Sequence, residues 1–180
     1  MASLFRDGTA LMVQYAHYHR DRRNIATHFV GIPMIVFAIG VLLNRPLWAL
    51  GGGLYATPGM VLWLLSTAWY LTRGLGLVGV ATSVVNLWLI WAAHLLMTAP
   101  TTTWLAWGVG AFVLGWVFQF VGHHWEGRKP AFADDLVGLL VGPAFVVGEA
   151  LFALGLCKPM AAAIEREAGP LRGSGPTTVT

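Results

Sequence analysis

Charge is almost missing from this chain. Asp, Glu, Lys and Arg are absent from residues 24–44, 46–72 and 74–125. Together they make up 11% of the sequence, against about 25% in ordinary soluble domains. A hydrophobic share of 57% completes the imbalance, which excludes a water-solvated globular domain and indicates a membrane protein. Cysteine is nearly missing too. Cys157 stands alone, so an internal disulfide and a multi-cysteine metal site are both excluded, and its small apolar side chain reads as a packing residue. Strict alternation of polar and apolar residues is missing, which argues against a transmembrane barrel, and no repeat of 20–50 residues is present. Also missing are HExxH, GxSxG, a phosphate-binding GxxxxGK[ST] loop, and the HxxxH and HxxHH boxes of membrane di-iron desaturases. The N-terminal stretch lacks an apolar segment followed by a small-residue cleavage site, so no cleavable signal peptide is expected.

What is present is a series of apolar runs. A spanning helix needs about 20 largely apolar residues. Candidates are 25–43, 47–71, 75–97 and 104–124, with Gly51, Gly52, Gly53 and Pro58 expected to shorten or break the second. A fifth stretch, 136–156, contains Gly142, Pro143 and Glu149 and is expected to break or re-enter at Pro143. Backbone in lipid must satisfy its own hydrogen bonds, so these runs read as helices. The fold class is therefore all-α: a polytopic membrane helix bundle of four to five transmembrane or re-entrant helices. Basic residues cluster before the first run and after the fourth, at Arg20, Arg22, Arg23, Arg128 and Lys129. They read as orienting charges at lipid headgroups rather than a nucleic-acid footprint. The N-terminus is expected in the cytoplasm, whether the membrane is a bacterial inner membrane or the endoplasmic reticulum. That orientation puts His19, His28, His123 and His124 at one membrane depth.

Polar side chains inside the apolar runs carry the functional signal. Gly115, Gln119, His123 and Glu126 fall on one face of a helix. Such a face either hydrogen-bonds a neighbouring helix or forms a metal or catalytic face. His124 points elsewhere, His17 reads as a solvated interfacial residue, and His94 as an interfacial residue at the opposite face. His19 and His28, nine residues apart, suit one site only if the helix begins near Asn24. Asn24 is then either that helix's N-cap or a group orienting a ligand. Imidazole suits several metals, and two histidines with a carboxylate is a known pattern of non-haem iron oxygenases. A non-enzymatic scaffold or lipid-binding protein, and a haem-binding bundle with two axial histidines, remain alternatives on these residues alone.

Three stretches carry a more specific signal: YHRDRRNIATHFVGIP at 18–33, GWVFQFVGHHWEGRKPAF at 115–132 and DDLVGLLVGPAFVVGEALFALG at 134–155. Together they resemble the 2-hydroxy fatty acid dioxygenase family of the phytosphingosine-to-odd-numbered-fatty-acid pathway. The resemblance implies a small integral membrane enzyme that uses Fe(II) and O2 to shorten a 2-hydroxy fatty acid by one carbon. It implies iron ligation by His19, His28 and His123, with Glu126 as a further catalytic residue. It matches Asn24 to the first motif; Gln119 joins the surrounding shell from its place on the polar helix face, and Arg128 and Lys129 are expected, from charge alone, to attract the substrate carboxylate at the membrane surface. The expected partners are the fatty acid, O2 and membrane lipid; nucleic acid is not expected, and a homo-oligomer is compatible with the reading. Residues 1–158 are expected to form a single membrane-embedded catalytic domain. Residues 159–180, rich in Gly, Pro and Thr toward the end, are expected to form a partly disordered tail.

Overall fold

Asp21 starts the first long helix. Its carboxylate accepts the Arg23 amide at 2.9 Å and caps α2, Arg22–Asn44. The structure, a computed structural model, describes residues 3–130 and 137–173. Before α2 lie a 3-10 turn, Ser3–Phe5, and a short helix α1, Gly8–Ala16. After it come a small hairpin of β1, Trp48–Gly51, and β2, Leu54–Ala56, then α3, Pro58–Thr72, α4, Leu77–His94, and α5, Thr101–Glu126. Two further helices, α6 at Gly138–Ala153 and α7 at Lys158–Ala168, complete the described chain. Among the described residues the fold is thus a helix bundle with one two-stranded sheet.

α2, α4 and α5 are long and apolar enough to cross a membrane, and α6 with α7 counts as a fourth if the bent pair is one broken span. The expected second span is shorter than the apolar run from which it was read. Residues 48–56 are spent on the hairpin, where Gly51, Gly52 and Gly53 all adopt positive φ that only glycine takes without strain. Helix resumes at Pro58, with Thr57 Oγ1 capping the Met60 amide at 3.1 Å, leaving α3 at 15 residues. The break expected at Pro143 also moves. α6 passes through Pro143 unbroken, as α2 does through Pro33. The chain turns instead at Gly155 and Cys157, both with positive φ, and α7 leaves at 111° to α6. Asn24 is not the N-cap, since Asp21 takes that role. The Asp21 capping turn already ends the α1–α2 loop, so Asn24 falls inside the helix with its side chain turned inward.

α2 and α5 form the most extensive interface in the bundle. They run antiparallel and close, as helices in lipid do where small residues line the contact. A Cβ at Gly115 would lie 2.8 Å from the Gly31 carbonyl. A Cβ at Gly122 would strike Asn24 and Thr27. This approach brings the start of α2 against the end of α5. α1 and α6 pack over the same end, where Met12, Tyr15, Ala16, Ala144 and Phe145 form the apolar core. The segment from α6 through α7 returns to the end of the bundle that α5 reaches, because Arg172 pairs with Glu126.

Candidate metal centre

His19 lies in the loop between α1 and α2, His28 in the second turn of α2, and His123 in the last turn of α5. Their ring nitrogens lie within 4.8 Å of one another, and all three side chains are buried. Each position has a local cause. The His19 Nδ1 lies 2.7 Å from the Tyr15 carbonyl, and its ring stacks flat on Tyr15 at 4.0 Å between centroids. The His28 Nδ1 lies 2.8 Å from the Asn24 carbonyl, one turn back along α2. A carbonyl oxygen only accepts, so both Nδ1 atoms are donors and both Nε2 atoms carry bare lone pairs. Those two Nε2 atoms face each other at 2.9 Å. Burial, and then the neighbouring His28, hold His19 well below the ordinary 6.5, so its Nε2 stays unprotonated.

Two facing lone pairs at that distance repel unless a cation lies between or beside them. His123 adds a third ring, 4.8 Å and 5.1 Å from the other two by centroid. Its Nδ1 is buried with no hydrogen-bond partner among the described residues. This donor set, three imidazoles whose free nitrogens converge in a buried site, fits a divalent transition metal. The carbonyls on the far nitrogens of His19 and His28 fix tautomer and ring orientation, as outer partners of metal-ligating histidines do. Haem does not fit between His19 and His28, because trans imidazoles stand about 4 Å apart across a metal, twice a metal–nitrogen bond of ~2 Å.

Glu126 stands beside this cluster with its carboxylate fully engaged. It accepts the amides of Arg20 at 3.0 Å and Asp21 at 2.8 Å, the Asn24 side-chain amide at 2.9 Å, and the guanidinium of Arg172. It therefore holds the loop that carries His19. Asn24 works on both sides, donating to Glu126 and, through its backbone carbonyl, accepting from His28. Gln119, one turn before His123, is 5% exposed and its Nε2 has no partner among the described residues. It lines a cavity of about 260 Å³ that begins at His28 and His123 and continues between α2, α5 and α6. Ile32, Ile35 and Ile39 of α2, Phe112 and Trp116 of α5, and Pro143 of α6 give that cavity an apolar wall.

The remaining expected residues lie outside the cluster. Arg128 is exposed and donates to the His17 carbonyl at 2.9 Å. Lys129 is exposed at the end of α5. His17, His94 and His124 are exposed. Residues 131–135 of the basic loop and its acidic pair at 134–135 lie outside the described residues, as do 174–180 of the tail. Sequence reasoning missed Tyr15, the ion pair of Arg20 with Glu149 at 3.6 Å, and Arg172. Tyr15 sits four residues before His19, a spacing that placed it on one helix turn with a candidate ligand. Arg172 gave no such signal, since it falls in the stretch read as tail.

A family model described as 2-hydroxy-palmitic acid dioxygenase Mpo1-like matches residues 5–154. The chain is also 33% identical over 155 residues to 2-hydroxy-palmitic acid dioxygenase MPO1 of Saccharomyces cerevisiae, covering 85% of this chain and 84% of that protein. No solved structure matches.

Proposed function

The chain belongs to the Mpo1-like family of 2-hydroxy fatty acid dioxygenases, and from that premise we propose that it is an Fe(II)-dependent enzyme that converts a 2-hydroxy fatty acid to the acid one carbon shorter. One O2 balances the loss of the carboxyl carbon as carbon dioxide together with one water. The observation that carries this reading is the three-histidine cluster, two members of which, His28 and His123, line an apolar cavity. His19, His28 and His123 would hold the ion. Iron bound there supplies the electrons that activate O2 and open positions for the substrate's carboxylate and 2-hydroxyl.

The chain's own residues do the rest. Ile32, Ile35, Ile39, Phe112 and Trp116 take the acyl chain, so its polar end lies against the histidines. Gln119, with an unpaired donor in the cavity wall, donates to a substrate oxygen and orients it. Glu126 positions His19 by holding the Arg20 and Asp21 amides. Arg128 and Lys129, exposed where α5 ends, raise the local concentration of carboxylates at the membrane surface.

The same end of the bundle faces the cytoplasm in this reading. Arg45 lies at the other end, 3.1 Å from Thr101, whereas Arg20, Arg23, Arg73, Arg128 and Arg172 lie on segments that meet near the histidines. Single cysteines at His124 and at Trp48, in a Cys157→Ser background, are expected to label from the cytoplasmic and opposite sides respectively. Labelling of both from one side overturns the orientation.

The reaction is tested with purified protein, Fe(II), O2 and 2-hydroxy-palmitic acid, reading products by mass spectrometry. The acid one carbon shorter is expected, with far less product from palmitic acid, which lacks the second chelating oxygen. Recovery of unchanged 2-hydroxy acid from folded, iron-loaded protein in the presence of O2 overturns the reading.

A further inference from the structure

Glu126 has an electrostatic problem. Its carboxylate is buried and sits at the C-terminal end of α5, where the helix macrodipole is already negative. A buried charge needs a counter-charge or it destabilises the fold. The amides of Arg20, Asp21 and Asn24 give it hydrogen bonds but no net positive charge. Arg172 gives it the charge, and the same guanidinium lies 3.4 Å from the Glu126 carbonyl, one of the acceptors a helix C-terminus leaves open. The main chain is tied at the same place. The Arg172 amide donates to the Arg20 carbonyl at 2.6 Å, and the Arg22 amide donates to the Arg172 carbonyl at 3.3 Å, a parallel bridge between residues 21 and 172. The Arg20 guanidinium adds a bond to the Gly169 carbonyl at 3.1 Å. The loop carrying His19 is therefore pressed between the end of α5 on one side and residues 169–172 on the other. Those residues lie beyond the stretch that the family model matches, which ends at 154.

We propose that residues 169–172 form a strap and that Arg172 is a positioning residue for the metal centre, locking Glu126 onto the Arg20 and Asp21 amides and so fixing His19 against His28 and His123. The inference deepens the metal reading of the three histidines and rests on it for its effect on metal, but not for its effect on the loop. Arg172 touches no ligand nitrogen, so it acts only through Glu126 and the loop.

The variants are Arg172→Ala and Arg172→Lys, with Arg166→Ala as control; Arg166 is exposed and pairs with its neighbour Glu167 at 3.1 Å. Two readouts are taken on the full-length protein: hydrogen exchange of the amides of residues 20–22, and Fe(II) affinity by titration. Arg172→Ala is expected to speed exchange at residues 20–22 by about tenfold or more while residues 30–40 of α2 keep their protection, and to weaken metal affinity by about 10–100-fold, the usual loss when an outer partner of a metal ligand is removed. Arg172→Lys, which keeps the charge, is expected to restore most of both, and Arg166→Ala to change neither. Loop exchange or metal affinity unaltered in Arg172→Ala overturns the proposal, as does loss of protection throughout α2, which would make the strap a general stabiliser. If the unaltered protein binds no metal, the metal reading itself fails, and the exchange measurement still decides whether Arg172 holds the loop.

Discussion

Each end of the bundle buries an asparagine of α2, and the two are used differently. At the far end Asn44 is closed. Its amide donates to the Ile90 carbonyl at 2.8 Å, its carbonyl oxygen accepts from Thr57 at 2.8 Å, and Thr57 in turn caps α3. The side-chain atoms of Asn44 and Thr57 all find protein partners, and the network ties α2, α3 and α4 together. At the histidine end Asn24 Oδ1, Gln119 Nε2 and His123 Nδ1 are buried without a partner among the described residues. Buried polar groups left open are costly in lipid, and natural structures leave few of them. The same helix thus ends in a closed polar knot and begins among polar groups that protein leaves open. In the proposed reading the contrast separates polar residues that hold the bundle together from those that serve its chemistry, with an asparagine at both ends.

The sharpest break in that contrast is at the histidines. Replacing His19, His28 or His123 singly with Ala is expected to remove most bound iron and reduce turnover to background, with the protein still folded in the membrane. Metal analysis of the three purified variants checks it, and stoichiometric iron in all three would mean that this end is structural as well. Glu126→Ala is expected to be milder, weakening iron affinity by about 10–100-fold through loss of the His19 loop's anchor. Titration with Fe(II) measures that difference directly.

Much of this end was legible in the sequence because lipid makes polar residues conspicuous. A Gln, a His and a Glu on one face of an otherwise apolar helix needed a reason, and Gly115, Gln119, His123 and Glu126 are indeed all buried on the inward face of α5. The bend that lets His19 meet His28 was legible as a requirement of their spacing, and the helix begins at Arg22, two residues before the Asn24 near which it was expected. Asn24 looked like the cap because it precedes the apolar run, whereas the charged residues before it were helical too and Asp21 took that position. Pro143 looked like the break because proline removes a donor, yet α6 runs through it as α2 runs through Pro33, and the turn came at Gly155 and Cys157, where left-handed backbone was needed. Arg172 was illegible for a different reason. Its role depends on a contact 46 residues away in sequence with Glu126, and nothing local in a Gly- and Pro-rich stretch marks such a contact.

Gln119→Leu sharpens the contrast from the cavity side. If its open donor serves the substrate, kcat/KM for the 2-hydroxy acid is expected to fall by about 10–100-fold, since a hydrogen bond to a charged group contributes about 1.5–3 kcal/mol and 1.4 kcal/mol is a factor of ten. Bound iron and thermal stability are expected to be unchanged, because the variant removes a donor that had no protein partner to lose. Asn44→Ala is the counterpart at the closed end. It leaves Thr57 Oγ1 and the Ile90 carbonyl without their partner and is expected to cost about 1–2 kcal/mol of stability, read by denaturation in detergent, with iron content and kcat unaltered. A stability loss in Gln119→Leu, or an iron loss in Asn44→Ala, would erase the distinction between the two ends.

The smallest effect expected is on pH, and it belongs to the metal-free protein. His19 is buried beside His28, and both burial and that neighbour hold its folded-state value well below 6.5. In the unfolded chain the same imidazole takes up a proton at about 6.5. Above that pH neither state binds the proton and His19 contributes no pH dependence. Below it the unfolded state binds a proton that the folded state refuses, so stability falls as pH falls, until the depressed folded value is reached. At pH 6 His19 already lowers the stability relative to neutral pH, by an amount on the order of 1 kcal/mol or less. Denaturation of metal-free protein at pH 7.5 and pH 6 measures it, and His19→Phe, which keeps a ring against Tyr15 but cannot be protonated, is expected to flatten that part of the profile. A profile unchanged by the substitution would mean that His19 is solvated, and the two ends of the bundle would then differ less than their hydrogen bonds indicate.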